Sequence, residues 1–143
     1  MYHCFRLHRG QDLYAAIEAY VKDHHIAAGA VVSGVGCVSC WRLRDATGVR
    51  VRSGEEDVEI VSLMGTVSEH GCHLHASFSR ADLSAFGGHL LPGCVVNTTA
   101  EIVLAEIPDR AFTRQPDSET GYDELVIAPA SPKETTNDRR EDL

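Results

Sequence analysis

His73-Leu-His75 is the part of this chain whose residue types and spacing point most directly to chemistry. In an extended strand, residues i and i+2 project from one face, so both imidazoles point the same way. Leu74, Ala76 and Phe78 then point the other way and make a core face. His89 follows in Phe86-Gly-Gly-His-Leu-Leu-Pro-Gly93, where two glycines and a Pro-Gly pair suit tight turns that bring the chain back. Such a return places a third imidazole beside the first two. Three neutral imidazoles suit Zn²⁺, with other first-row divalent metals open, and leave a coordination position for water or a substrate oxygen. The competing reading is that these are ordinary surface histidines in a chain that has eight.

Other side chains compete for roles at the same place. Glu101 lies in Thr98-Thr-Ala-Glu-Ile-Val-Leu, an otherwise strand-like, apolar stretch, where a carboxylate needs a partner. Facing the histidines, it would orient their tautomer or act as a general base. Facing solvent, it would pair with a basic side chain. His70 and Cys72 are spare ligands by type, although Cys72 alternates to the face opposite His73. His3, His8, His24 and His25 read as surface or helix-end residues. Arg114 and Asp117 are candidates for an ion pair or a pocket lining.

The elements that must position these groups are mostly strands. The clear helix starts at Asp12, a good N-cap, and carries Leu13, Ala16, Ile17, Tyr20 and Val21 at helical spacing to near His24. Strand signals cover Tyr2–His8, 30–36 running into 37–43, 49–52, 58–64, 73–79 and 94–107. Phe112–Arg114 and Tyr122–Ile127 are short enough to close the sheet. The class is therefore α+β: a mainly antiparallel sheet packed with one principal helix, in a single domain over residues 1–127. Residues 128–143, rich in Pro, Ser, Thr and mixed charge, read as a disordered C-terminal tail.

Composition narrows the function classes. At 143 residues and 43% hydrophobic content the chain can bury one core. It has no apolar run long enough for a membrane helix and no apolar signal segment at its start, which favours the cytoplasm and no membrane partner. Five cysteines without a disulfide-like framework agree with a reducing compartment. The net charge of −8 opposes binding to phosphate backbones. Residues 128–143 hold three basic and four acidic groups, leaving −7 on residues 1–127. Arg42, Arg44, Arg50 and Arg52 make the local basic cluster.

Three familiar-looking motifs fail on context. Cys37-Val-Ser-Cys40 has no second cysteine pair, and its i and i+3 positions face opposite ways in a strand. Ser33-Gly-Val-Gly36 leads into a strand and not into the helix a dinucleotide site requires. No Gly-x-Ser-x-Gly elbow occurs.

Taken in order, Gly10-x-Asp12, Glu59-Ile-Val-Ser-Leu-Met-Gly-Thr66, His73-Leu-His75, Gly87-Gly-His-Leu90, Glu101-Ile-Val, Phe112-x-Arg114 and Gly121 resemble the plants-and-prokaryotes-conserved (PPC) domain. The most specific part is the pairing of His-Leu-His with Gly-Gly-His-Leu. The resemblance implies a homotrimer and, as in prokaryotic members, a metal usually taken to be zinc on His73, His75 and His89. It also implies a link to DNA, since plant relatives join this domain to an AT-hook, a segment absent here. The Arg80-Ala-Asp-Leu-Ser-Ala85 loop departs from the Asp-Gly turn of relatives.

Three functions stand at this point: a metal-site protein whose open position supports hydrolysis or small-ligand binding, a DNA-associated or transcription-linked module, and a trimeric scaffold that binds another protein. Whether the chain is an enzyme is left open by these residues. A cupin-like oxygenase also uses His-x-His, but no acid stands where its glutamate would follow His75.

Overall fold

Asp12 does two jobs at the start of the helix. One carboxylate oxygen accepts the Ala15 backbone N–H at 2.9 Å and caps α1 (Leu13–Asp23); the other accepts the Gly93 N–H at 2.7 Å and ties the cap to the sheet. Leu13, Ile17 and Val21 form the buried face of α1. His24 then closes the last turn, its ring nitrogen 2.9 Å from the Tyr20 carbonyl.

The computed structural model describes residues 1–131, and the remaining residues of the expected tail, 132–143, lie outside it. The strands are β1 (Tyr2–His8), β2 (Gly29–Arg44), β3 (Val51–Ser68), β4 (Gly71–Ser79), β5 (Ala85–Leu90), β6 (Val95–Glu106), β7 (Arg110–Pro116) and β8 (Asp123–Pro129). The first six form one antiparallel sheet in the order β1-β6-β2-β3-β4-β5. β5 also meets the end of β2, where Leu43 pairs with Leu90 and Arg44 with His89, so one end of the sheet curls back on itself. Register shifts at Val38/Cys40 and Ile60/Ser62 supply the bending that such closure needs. Leu13, Ile17, Leu63, Leu74, Phe78, Leu90, Ile102 and Leu104 meet in the core at under 2% exposure. At about 1.5–3 kcal/mol for each large apolar side chain, this burial is the main force holding helix to sheet. Among the described residues no helix is long and apolar enough to cross a membrane.

The α+β reading holds, and three local expectations change. The segments at 49–52 and 58–64 belong to one strand, β3, which continues through its acidic middle. Gly54 leaves room there for the Trp41 ring, and Glu56 accepts from Trp41 Nε1 and Arg80 Nε, both at 3.1 Å. β7 and β8 do not close the main sheet; they pair with each other as a separate hairpin. Its base is pinned where Phe112 N–H donates to the Ala27 carbonyl and the Phe112 ring is buried. β8 runs to Pro129, two residues into the segment read as tail.

The loop between β4 and β5 turns at Leu83, which is 84% exposed and held at φ 68°. A branched side chain in that left-handed region is strained. Leu83→Gly is expected to raise stability by about 1 kcal/mol, since no buried contact is lost. An unchanged urea midpoint would show that the turn holds no strain.

Candidate metal centre

The strand alternation expected for β4 is present. His73 and His75 are on the outer face, while Leu74, Ala76 and Phe78 are buried. His89 arrives through β5, directly opposite His75 in the β4–β5 register, so its ring lies on the same face. Ring centroids are 5.0 Å apart for His73 and His75, 5.1 Å for His73 and His89, and 5.5 Å for His75 and His89. One nitrogen from each ring lies within 4.8 Å of the others, and no second set of three His, Cys, Asp or Glu converges this way among the described residues.

The glycines before His89 serve a different purpose from the one their spacing suggests. They lie inside β5 and not in a turn. A Cβ on Gly87 would overlap the Ala76 carbonyl oxygen, and one on Gly88 would sit 2.7 Å from the Arg44 carbonyl oxygen. Their absent side chains let β5 fit tightly between β4 and β2.

His73 Nε2 and His75 Nε2 are 3.2 Å apart. Two imidazole nitrogens bound to one tetrahedral zinc at its usual bond lengths stand about 3.3 Å apart, so this pair already has the required spacing. His89 Nδ1 is buried with no hydrogen-bond partner, a state that costs free energy and that coordination would relieve if Nδ1 is the ligating atom. Donor type and convergence fit a divalent cation.

Electrostatics favour the neutral, ligating form. Burial, then Arg44, then the other two imidazoles push His89 down to about 4. Burial first, then His75, Arg114 and Arg44, hold His73 below the usual histidine value, with Glu124 acting weakly the other way. A histidine depressed by folding binds fewer protons folded than unfolded. Its contribution is present above the unfolded value of 6.5 and is lost as pH falls through the folded value. Metal-free protein is therefore expected to lose stability from about pH 6.5 to about pH 4. His89→Gln should flatten that slope in urea titrations; an identical slope would count against the assignment.

A cleft of about 310 Å³ opens beside the histidines, lined by Arg44, His73, His89, Arg114, Tyr122 and Glu124 among others. The β7–β8 hairpin makes its outer wall. Tyr122 OH donates to the Gly48 carbonyl at 3.1 Å, and Arg114 Nη2 donates to Thr66 Oγ1 at 3.4 Å. Cys72 also lines the cleft, but burial pushes its thiol up to about 11, which keeps it protonated and a poor ligand near neutrality.

Glu101 stands elsewhere in the chain's own fold. It is exposed on β6, opposite Arg6 on β1 and Val35 on β2, with β2 and β3 between it and β4. It alternates with buried Ile102, and that alternation turns its carboxylate outward. The carboxylates that do line the cleft are Asp123 and Glu124. Asp117 accepts the Glu119 N–H in the hairpin turn and makes no ion pair with Arg114. His8, His24 and His25 take surface and helix-end partners, whereas His3, read as a surface residue, is mostly buried against Glu106 and Tyr20. Cys37 and Cys40 donate separately to the Asn97 and Gly93 carbonyls, and all five cysteines are free. Arg44, Tyr122 and Glu124 were not singled out for the site from sequence. The available signal was that Arg44 alternates with buried Leu43 on one strand.

A curled antiparallel sheet with one helix, carrying three outward imidazoles beneath a hairpin, defines a small domain built around a cation-sized site. The chain belongs to the Plants and Prokaryotes Conserved (PCC) domain family, whose model matches residues 1–108. It is 45% identical over 128 residues to the bifunctional protein GlmU of Synechococcus sp. (strain JA-2-3B'a(2-13)), aligning 88% of this chain. The chain spans only 20% of the length of the curated relatives it matches. Among solved structures, a hypothetical protein of Salmonella cholerae-suis is 34% identical with a TM-score of 0.88, covering 92% of this chain and 95% of that one. A protein of Bacteroides thetaiotaomicron described as a putative DNA-binding protein is 25% identical with a TM-score of 0.80, covering 87% and 91%. A metal-containing protein of Archaeoglobus fulgidus is 27% identical with a TM-score of 0.72, covering 88% and 93%.

Proposed function

We propose that this chain is a metal-binding domain that holds zinc through His73, His75 and His89 and assembles as a homotrimer. The observation that carries the metal reading is the 3.2 Å approach of two ring nitrogens with a third imidazole on the same face. The metal-containing relative from Archaeoglobus supports it. Zinc bound by three protein ligands supplies a Lewis acid with a position left for a further oxygen donor. The chain's own residues favour the neutral form of His73 and His89, fix the direction of the rings through β4–β5 pairing, and wall the open side with the hairpin. The five free thiols suit a reducing, cytoplasmic setting.

Self-association is supported by a run of exposed apolar side chains on the two long strands: Val32, Val35, Val61 and Met64, each at least half exposed. Met64 pairs with His75 across β3–β4, so this apolar surface begins at the metal site. Three copies is the assembly that the family resemblance implies, and the same surface is where a scaffold role would begin. Elemental analysis of protein loaded with zinc and passed through a desalting column should find about one zinc per chain, the stoichiometry of a single three-histidine site. Less than half of that would remove the reading, and sedimentation showing a monomer would remove the trimer.

The DNA-associated alternative rests on the description of the Bacteroides relative. Against it, Arg52 pairs with Asp45 at 3.1 Å, Arg42 Nη1 donates to the Pro92 carbonyl, and Arg44 lines the cleft. The basic cluster is thus dispersed on a chain of charge −8. No shift of duplex DNA at low salt is the expected result.

A further inference from the structure

Arg44 and His89 are directly paired residues of β2 and β5, and each carries a buried side-chain nitrogen without a partner: Arg44 Nε and His89 Nδ1. Coordination through Nδ1 would account for the imidazole nitrogen. It leaves the guanidinium donor unexplained, and a buried N–H without an acceptor is costly. Among the described residues neither Arg44 nor Arg114 has an ion pair. Both line the cleft, where Asp123 and Glu124 also stand, which places two cations without a direct ion pair beside the imidazoles. Tyr122 lies 5.5 Å from the Arg44 guanidinium, ring centroid to carbon, and holds it toward the cleft.

We propose that this cleft binds a small carboxylate, its carboxyl group on the unpaired guanidinium of Arg44 and within the field of Arg114, and a second oxygen directed at the histidine centre. A planar carboxylate matches the arginine fork, which offers two parallel donors. Asp123 and Glu124 on the same lining repel a doubly charged oxyanion more than a singly charged one, which selects carboxylate over phosphate. A cleft of about 310 Å³ stands at the small end of ligand sites and has room for a short-chain carboxylate. Arg114, Tyr122 and Glu124 stand on the β7–β8 hairpin, after the stretch matched by the family model.

The inference rests on the metal-centre reading for the second oxygen but not for the arginine contacts, and the test separates the two. Glycolate binding is measured by calorimetry on zinc-loaded and zinc-free protein, for wild type, Arg44→Met, Arg114→Met, His75→Ala and the His75→Ala/Arg44→Met double variant. Saturable binding to wild type is expected, weakened about tenfold or more by Arg44→Met, the loss of one charge-assisted pair, with zinc content unchanged. Arg114→Met, on the hairpin and outside the core, gives a second loss should Arg44→Met fail to fold. His75→Ala is expected to abolish zinc uptake and weaken glycolate binding, and adding Arg44→Met should weaken it further. If wild type takes up no zinc but binding still depends on Arg44, the metal reading fails and the anion site stands. Glycolate affinity unchanged in both folded arginine variants, no saturable binding by wild type, or tighter binding of inorganic phosphate would overturn the proposal.

Discussion

His75→Ala is expected to lower zinc affinity more than about 100-fold, beyond the 10–100-fold cost of losing only an outer-shell partner. His75 occupies the middle of the arrangement. Its Nε2 is 3.2 Å from that of His73, and its backbone pairs with His89. The variant leaves two ligands on a solvent-facing surface, too few to hold a divalent cation against water. Because His75 is exposed, the metal-free variant should unfold within about 0.5 kcal/mol of metal-free wild type. The difference appears only when zinc is added. Wild type at 100 times its Kd gains about 2.7 kcal/mol, and the variant gains almost none. Thermal melts with and without zinc read both quantities. A variant stabilised by zinc as strongly as wild type would show that these three rings are not the ligands.

Gly65→Ala carries the second large effect, and it joins the fold to the site. Gly65 sits in β3 at φ +153° between Met64 and Thr66, which pair with His75 and His73. An added Cβ would overlap the His73 carbonyl oxygen, and backbone cannot yield as a flexible side chain can. Strain of about 1–3 kcal/mol from the backbone conformation and a similar cost from overpacking give a loss of about 2–6 kcal/mol. That is a large part of the stability of a domain this size. Urea denaturation should show it, with zinc affinity falling in parallel as β3 and β4 are forced apart beside His73. A loss under about 1 kcal/mol would mean that β3 relaxes there without cost.

These two variants test different layers of the molecule. The first removes one of the three converging imidazoles and leaves the scaffold alone; the second disturbs the strand pairing that aims the rings. The arginine variants act on a third layer, the cleft wall, which neither ligand geometry nor core packing requires. The cleft wall is argued from this chain's own orphaned nitrogen and hairpin.

What the sequence alone determined was local and periodic. His-Leu-His on a β4-type strand had to place two rings on one side, because side chains alternate with period two whatever the strand pairs with. Asp12 before Leu13, Ile17 and Val21 had to start an amphipathic helix, because capping and helical spacing act within a few residues. Only the tertiary structure decided that Gly87 and Gly88 lie within a strand, that β2 and β3 separate Glu101 from the strand of His73 and His75, that β7 and β8 form a wall instead of closing the sheet, and that Arg44 stands opposite His89. Those outcomes depend on register between strands far apart in the chain. Register is set by bulges, by how the sheet curls over its core, and by which backbones approach too closely for a side chain. None of these is written in any one segment, because each is a property of two segments meeting.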